Sequence, residues 1–482
     1  MQYKLGNYIH GNIVEASGAK RDIYSPLDGS ILAQGADSSK EDVRKAAQDA
    51  AQAQSSWANL TTKARVEVHY NYRGLLKKHR DELAEICHKE NGKAMPEALA
   101  GVDKAIELTD FACSMPQLIS GSVQEVSKGI ECKYRRVPIG VVASITPFNF
   151  PIMVPHWTVP NALAVGNAVL LKPSEHTPIS AIRSAELWKQ AGLPDGLLHV
   201  VLGSKDVVEE ICDNPSIAGL SFVGSTPIAK LVYTRASANL KRARCFGGAK
   251  NYLIVAEDAH PKVADDIISA FCGMAGQRCM AASVLLSLGE ITGIVDAVLS
   301  QAKTLVPGIT LPPLISKQAV EKISQYLDKA QERGAKILLD GRTTPIQGPG
   351  SGYYIGASII DWRGREDEMP LEEVFGPTLE LIHADSMERA AELQNRSPYG
   401  NASSIFTQSG KVAAEATKRL QAGMIGVNIG IPVPREPFSF GGIKHSRFGE
   451  GGITGWSNVE FFTDTIKITT KWNPEDRKDW MS

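Results

Sequence analysis

The stretch VVASITPFNFPIMVPHWTVPNALAVGNAVLLKP, residues 141–173, decides the fold. Two apolar runs, VVASIT (141–146) and AVLLKP (168–173), flank PNALAVGN, which reads as helical. Neighbouring parallel strands need a crossover between them, so this pattern is a βα unit of a parallel sheet. LHVVLG (198–203) and LSFVGS (220–225) extend the series, with ISAIRSAELWKQAG and DVVEEICDNP as helical crossovers. A second α/β series opens at NYLIVAED (251–258) and runs through SVLLSL, AKILLDG, LELIHAD, NASSIFT and GMIGVNI. The closing VEFFTDTIKITTKW alternates apolar and polar residues, as an edge strand or an oligomer-forming strand does. Upstream of residue 130 the chain reads as a strand-rich start followed by helices. Ser38 and Glu41 have capping-box spacing ahead of one helix, and KARVEVHYNYRGLLKKHRDELAEICHKENG reads as a second, long one. The expected architecture is two parallel-sheet α/β domains plus a small β element.

Composition narrows the function. The chain has 482 residues, 43% hydrophobic and 22% charged, with a net charge of -1, which argues against a general nucleic-acid binder or a polybasic membrane-surface protein. The seven cysteines (Cys87, Cys113, Cys132, Cys212, Cys245, Cys272 and Cys279) are scattered, without Cys-x-x-Cys or zinc spacing, so neither a disulfide scaffold nor a metal site is expected. The first residues, MQYKLGNYIHGNIVEASG, lack an apolar leader core, and no run of 18 apolar residues occurs. A reducing cytoplasm is the expected setting.

Four stretches carry chemistry. GMAGQRCMAAS (273–283) sets Cys279 beside Arg278 among small residues. Gly273 and Gly276 permit close backbone approach, and the arginine's charge favours thiolate over thiol. The other reading is a buried structural cysteine. ITPFNFPIMVPHW (145–157) is a proline-shaped loop at a strand's C-terminal end, where ligands of α/β sheets gather. Asn149 in it either donates its amide to an oxyanion or satisfies loop backbone. In LLKPSEHTP (170–178), Lys172 and Glu175 either hold ribose hydroxyls, which favours NAD over NADP, or form a solvated turn. SFVGST (221–226) offers Gly224 and Ser225 as a pyrophosphate seat at a helix start, although no Gly-x-Gly-x-x-Gly fingerprint occurs.

Together these motifs resemble the aldehyde dehydrogenase superfamily over nearly the whole chain. GQRC followed by MAAS is similar to the family's nucleophile motif, and TPFNFP, LKPSE, FVGST, EEVFGP (372–377) and GVNIG follow the family's order. The resemblance implies that Cys279 is the nucleophile, with Asn149 and the Cys279 N–H as oxyanion hole. It implies Thr146, Pro147, Phe148, Lys172, Ser174, Glu175, Gly224, Ser225, Glu373 and Phe375 on the cofactor, and no metal. Residues 1–119 and 137–246 would form the NAD-binding domain, 247–440 the catalytic domain, and 441–457 a return segment to the cofactor domain. Residues 120–136 with 458–482 would form the β element, through which the chain would assemble as a homodimer or homotetramer.

One departure is informative. Most hydrolytic relatives carry a glutamate in a Glu-Leu-Gly-Gly-Lys segment that prepares the deacylating water. Here the matching segment is RCFGGAKNYLIV (244–255), which places Phe246 or Cys245 at that position, depending on how the segment is aligned. Neither is a carboxylate base. GAKN and GVNIGIPVPREPFSFGG resemble the CoA-acylating methylmalonate-semialdehyde dehydrogenases in particular. That implies coenzyme A as co-substrate, methylmalonate semialdehyde giving propionyl-CoA with loss of CO2, and malonate semialdehyde giving acetyl-CoA. In that branch two arginines hold the substrate carboxylate. Arg278 matches one; the other falls at Lys104, which keeps the charge but loses the bidentate fork. Phe150 would line the same side. The branch's usual histidine after GAKN is Tyr252 here. Together the two departures point to another acidic aldehyde or one bearing phosphate or sulfonate; the other reading is that Lys104 is a surface helix residue and the change is neutral.

Overall fold

The computed structural model describes residues 3–472, which form two α/β layers built on largely parallel sheets, two separate three-stranded sheets (Tyr3–Lys4, Ile31–Ala36 and Lys20–Tyr24 in one, Thr463–Lys471, Ile130–Pro138 and Ser122–Ser127 in the other) and a two-stranded pair, Tyr399–Gly400 with Ile443–Lys444. The first sheet has eight strands. Its parallel centre runs Arg242–Phe246, Ile217–Val223, Val141–Ile145, Ala168–Lys172, Leu198–Val200, and antiparallel strands close both edges. Val141–Ile145 is buried at all five positions because helices cover both faces, which is why this strand is uniformly apolar rather than alternating. The strand order reverses between Val141–Ile145 and Ile217–Val223. Their carboxyl ends open the crevice where such sheets bind ligands, and the 146–150 loop and Gly224–Ser225 both leave from it.

The second sheet has seven strands in the order Lys336–Leu339, Ser358–Asp361, Thr378–Ala384, Ala282–Leu288, Asn251–Ala256, Ala402–Phe406, Met424–Val427, of which the first alone is antiparallel. Its reversal lies between Asn251–Ala256 and Ala402–Phe406, so Asn251 and Asn401 stand close beneath the nucleophile turn. Arg447–Phe448, from the 441–457 segment, pairs back onto Arg242–Phe246 of the first sheet. Thr463–Lys471 pairs along one side with Ile130–Pro138, whose other side takes Ser122–Ser127, so the alternating tail is an edge strand as expected. Residues 473–482 of the expected β element lie outside the described residues.

Three local expectations need correction. The capping box is Ser39 with Asp42, not Ser38 with Glu41: the Ser39 hydroxyl accepts from the Asp42 N–H, and Asp42 accepts from the Ser39 N–H at 2.9 Å. Ser38 is drawn away, its hydroxyl donating to Asn7 of the N-terminal strand and its N–H to the Leu202 carbonyl. The long helix breaks at His79 into Thr62–Lys78 and Arg80–Asn91, because His79 leaves helical geometry (φ -102°, ψ 19°) while the apolar spacing continues through it. The helix read at PNALAVGN starts earlier, at Met153, and is buried from Val154 to Ala164; with no polar face, it has no amphipathic signal to mark its start.

Candidate active site

Cys279 sits between a tight turn, Gly273–Gly276, and the strand Ala282–Leu288. Met274, Ala275 and Gly276 all adopt left-handed backbone (φ 53°, 50° and 72°), an arrangement costly for the two residues that carry Cβ atoms. At Gly276 the requirement for glycine is double. A Cβ there would lie 2.1 Å from the Gly376 carbonyl oxygen, and its φ is positive. At Gly273 a Cβ would meet the Arg278 guanidinium, so both glycines serve close approach, as the sequence indicates.

The Cys279 backbone is held from below. Its carbonyl accepts from Asn251 Nδ2 at 3.0 Å and from Asn401 Nδ2 at 2.8 Å. Asn149 Nδ2 donates to the Gln277 carbonyl at 3.0 Å, two residues before the cysteine, and among the described residues its second N–H meets no acceptor. The Asn149 carbonyl in turn accepts from the Lys93 ammonium at 2.9 Å, and that ammonium also lies 4.4 Å over the Phe150 ring. Lys93 is buried, which lowers its pKa to about 8. Lys93, Asn251 and Asn401 were not singled out in the sequence; each is an ordinary polar residue there, and only long-range folding brings it to Cys279.

The thiol is not activated in the way the Arg278–Cys279 adjacency suggests. Burial, and then the Glu373 carboxylate, push the Cys279 pKa up to about 12, and Arg278 offsets this only slightly. The physical reason is that Arg278 is ion-paired with Glu97, which also accepts from the Met274 N–H at 2.9 Å.

Two cavities meet at Cys279. The smaller is lined by Ala249, Gly276, Glu373, Val374 and Phe375. Glu373 accepts from the Ala249 N–H at 2.9 Å, and a Cβ on Gly248 would come within 2.3 Å of its other oxygen. The glycine run of GGAKN is therefore what gives this carboxylate room. Burial raises Glu373 to about 7. Phe375, itself in left-handed backbone, meets Phe148 edge to face at 6.0 Å, joining the two α/β layers across the site. At the first sheet's crevice, Lys172 donates to Glu175 at 3.2 Å, Thr146 N donates to the Lys172 carbonyl, and Ser174 Oγ accepts from the His176 N–H. Pro147 lies between Thr146 and Phe148 in this loop, and Gly224 N donates to the Phe246 carbonyl. Ser225 precedes the helix Thr226–Ala238, whose N-terminal N–H groups receive no side-chain cap and point their dipole at the crevice.

The larger cavity, about 620 Å³, carries Phe150, Met153, Trp157, Phe440, Arg278 and Lys104 on its walls. Lys104, on the helix Met95–Cys113, turns inward with its side chain only 14% exposed, and pairs with Glu436 at 2.7 Å and Glu107 at 3.2 Å. Cys245 and Phe246, the two positions matched to the missing glutamate, are buried in the strand Arg242–Phe246. Lys250 is buried on Glu380 and does not face the thiol, and Tyr252 is fully buried in the second sheet's core and lines neither cavity, so its replacement of a histidine does not act on substrate directly.

The aldehyde dehydrogenase family pattern matches residues 13–468. The chain belongs to the aldehyde dehydrogenase family. Within this family it is 39% identical over 479 residues to malonate-semialdehyde dehydrogenase 1 of Geobacillus thermodenitrificans, covering 97% of this chain and 99% of that one. Among solved aldehyde dehydrogenase structures, it resembles a Sinorhizobium meliloti protein described as a methylmalonate-semialdehyde dehydrogenase and complexed with NAD (TM-score 0.94, 38% identity, 98% of this chain and 99% of that chain). The methylmalonate-semialdehyde dehydrogenase of Oceanimonas doudoroffii is as close in shape (TM-score 0.94, 35% identity, 99% of this chain and 100% of that chain). Among the described residues, no helix is long and apolar enough to cross a membrane, and no group of three or more His, Cys, Asp or Glu side chains could hold a metal ion.

Proposed function

We propose that this chain is an NAD-dependent, CoA-acylating dehydrogenase of a small acidic semialdehyde, with malonate or methylmalonate semialdehyde as its first candidates. The observation that carries this reading is the strand end where relatives place their deacylating glutamate. Here it presents buried Cys245 and Phe246 and then two glycines, so no carboxylate from that strand can prepare water. A thioester at Cys279 is then best released by a strong nucleophile such as the CoA thiol.

In this mechanism the Cys279 thiol first releases its proton to solvent; Sγ, as thiolate, then bonds to the aldehyde carbon, the C=O π pair moves onto oxygen, and the resulting oxyanion is received by the second N–H of Asn149 Nδ2 and by the Cys279 N–H. NAD, when bound, supplies the hydride acceptor. The residues fit such a dinucleotide: Lys172 and Glu175 for the adenosine ribose, Gly224, Ser225 and the uncapped helix for the pyrophosphate, Thr146, Pro147, Phe148 and Ser174 along the crevice, and Glu373 with Phe375 for the nicotinamide ribose and ring. Arg278 takes the substrate carboxylate, and Lys104 and Phe150 shape the same tunnel. The two α/β layers act as cofactor and catalytic domains with the boundaries given above. Val123, Val126, Tyr134 and Ile466, all exposed on the three-stranded sheet that holds Thr463–Lys471, support homodimer or homotetramer formation through it. Work in the cytoplasm on small molecules, with neither membrane nor nucleic acid as partner, completes the reading.

The test is NADH formation over many turnovers with and without CoA. The expected result is a single burst without CoA and sustained turnover once CoA is added; full steady-state turnover without CoA would refute the acylating assignment.

A further inference from the structure

Lys104 and Arg278 are the two cations expected to meet a substrate carboxylate, and the structure shows that they are not equivalent. Arg278 gives Nη2 to Glu97, and among the described residues its Nε and Nη1 donate to no side chain or carbonyl. A planar guanidinium therefore still has donors for a carboxylate. Lys104 is already shared by two carboxylates, Glu436 at 2.7 Å and Glu107 at 3.2 Å. The Glu436 side chain is only 7% exposed, so it needs the lysine: withdrawing Lys104 would leave a buried charge unpaired. Arg435, which pairs with Glu107 at 2.7 Å, brings this cluster to two cations and two anions. Glu436 Oε2 accepts from Lys104, while Oε1 accepts nothing among the described residues, and Glu436 lines the tunnel.

Resting on the semialdehyde reading above, we propose that Glu436 makes this tunnel selective for an acid semialdehyde that carries a hydroxyl next to its carboxylate. A carboxylate placed on the remaining Lys104 N–H would lie beside Glu436, and like charges at that spacing repel. A hydroxyl there accepts from Lys104 and donates to Glu436, satisfying both. The carboxylate then goes to Arg278, whose donors are free. Glu436 thus acts as the specificity-determining residue and Lys104 as its partner.

The holoenzyme, assayed with NAD and CoA, tests this through kcat/KM for 3-oxopropanoate and for 2-hydroxy-3-oxopropanoate. The wild type is expected to favour the hydroxylated aldehyde by about tenfold or more, the scale of one hydrogen bond to a charged group. Glu436→Ala brings the ratio to about one, and Glu436→Gln, which keeps an acceptor oxygen without charge, falls between. If Glu436 merely held its loop, the substitutions would depress both substrates alike and leave the ratio unchanged, which would overturn the proposal. A wild-type ratio at or below one would overturn it without any variant being needed. Failure of both aldehydes to yield NADH would instead refute the semialdehyde activity itself, and this inference with it.

Discussion

The two cavities that meet at Cys279 are built in opposite ways. The side holding Glu373 and Phe375 is shaped by backbone: glycines at 248 and 276, a strand end and an uncapped helix start. The tunnel side is shaped by charged side chains from segments far apart in sequence, Glu97 and Lys104 on one helix and Arg435 and Glu436 on a late loop. Backbone devices have few substitutes, since a Cβ at Gly248 or Gly276 would overlap a carboxylate or a carbonyl. Charge clusters can be rearranged by one or two substitutions without altering the fold. Under the proposed function, the common chemistry falls to the first cavity and substrate choice to the second.

The largest expected effect removes what the two cavities share. Cys279→Ala should abolish NADH production from every aldehyde tested, because no other thiol lines either cavity; retained activity would dismiss it as the nucleophile. Next, Glu373→Gln should raise the KM for NAD about tenfold, the scale of a lost hydrogen bond to a charged acceptor. Because burial raises Glu373 to about 7, its carboxylate is present above that pH and protonated below it. The wild-type KM for NAD should therefore climb as pH falls through 7, while the variant's profile stays flat; parallel profiles would break the assignment of Glu373 to the cofactor side. The smallest effect belongs to Lys104→Arg. An arginine there should remain tied to Glu436, so preference for malonate semialdehyde over an uncharged aldehyde should change by less than about threefold. A larger gain would mean that residue 104 meets the substrate carboxylate directly, and would erase the asymmetry between Lys104 and Arg278.

Much of the first sheet's crevice and of the turn that carries Cys279 was legible. Lys172, Glu175, Ser225, Asn149 and Cys279 all stand at strand ends or turns, and strand ends are marked in sequence by apolar runs that stop at Pro, Gly or Ser. The pairing of Arg278 with Glu97 was not legible, and it leaves the arginine only a slight lowering effect on a thiol that burial and Glu373 push up. An arginine next to a cysteine says nothing of which carboxylate a distant helix will deliver. Lys93 and Asn401 were missed for the same reason. The capping box slipped by one residue because Ser38 and Ser39 compete for the role, and Asn7, from another strand, settles the contest.

By itself the sequence determined the alternation of strands and helices, the setting of Cys279 among small residues and the absence of a carboxylate at 245–246. These are properties of short segments, governed by side-chain periodicity and local backbone freedom. Only the tertiary structure decided that burial and Glu373 push the Cys279 thiol up rather than Arg278 pulling it down, that Tyr252 belongs to the core, and that Lys104 is occupied by Glu436. Burial and ion pairing depend on which groups end up a few ångströms apart in a medium of low dielectric, and sequence separation does not encode that distance.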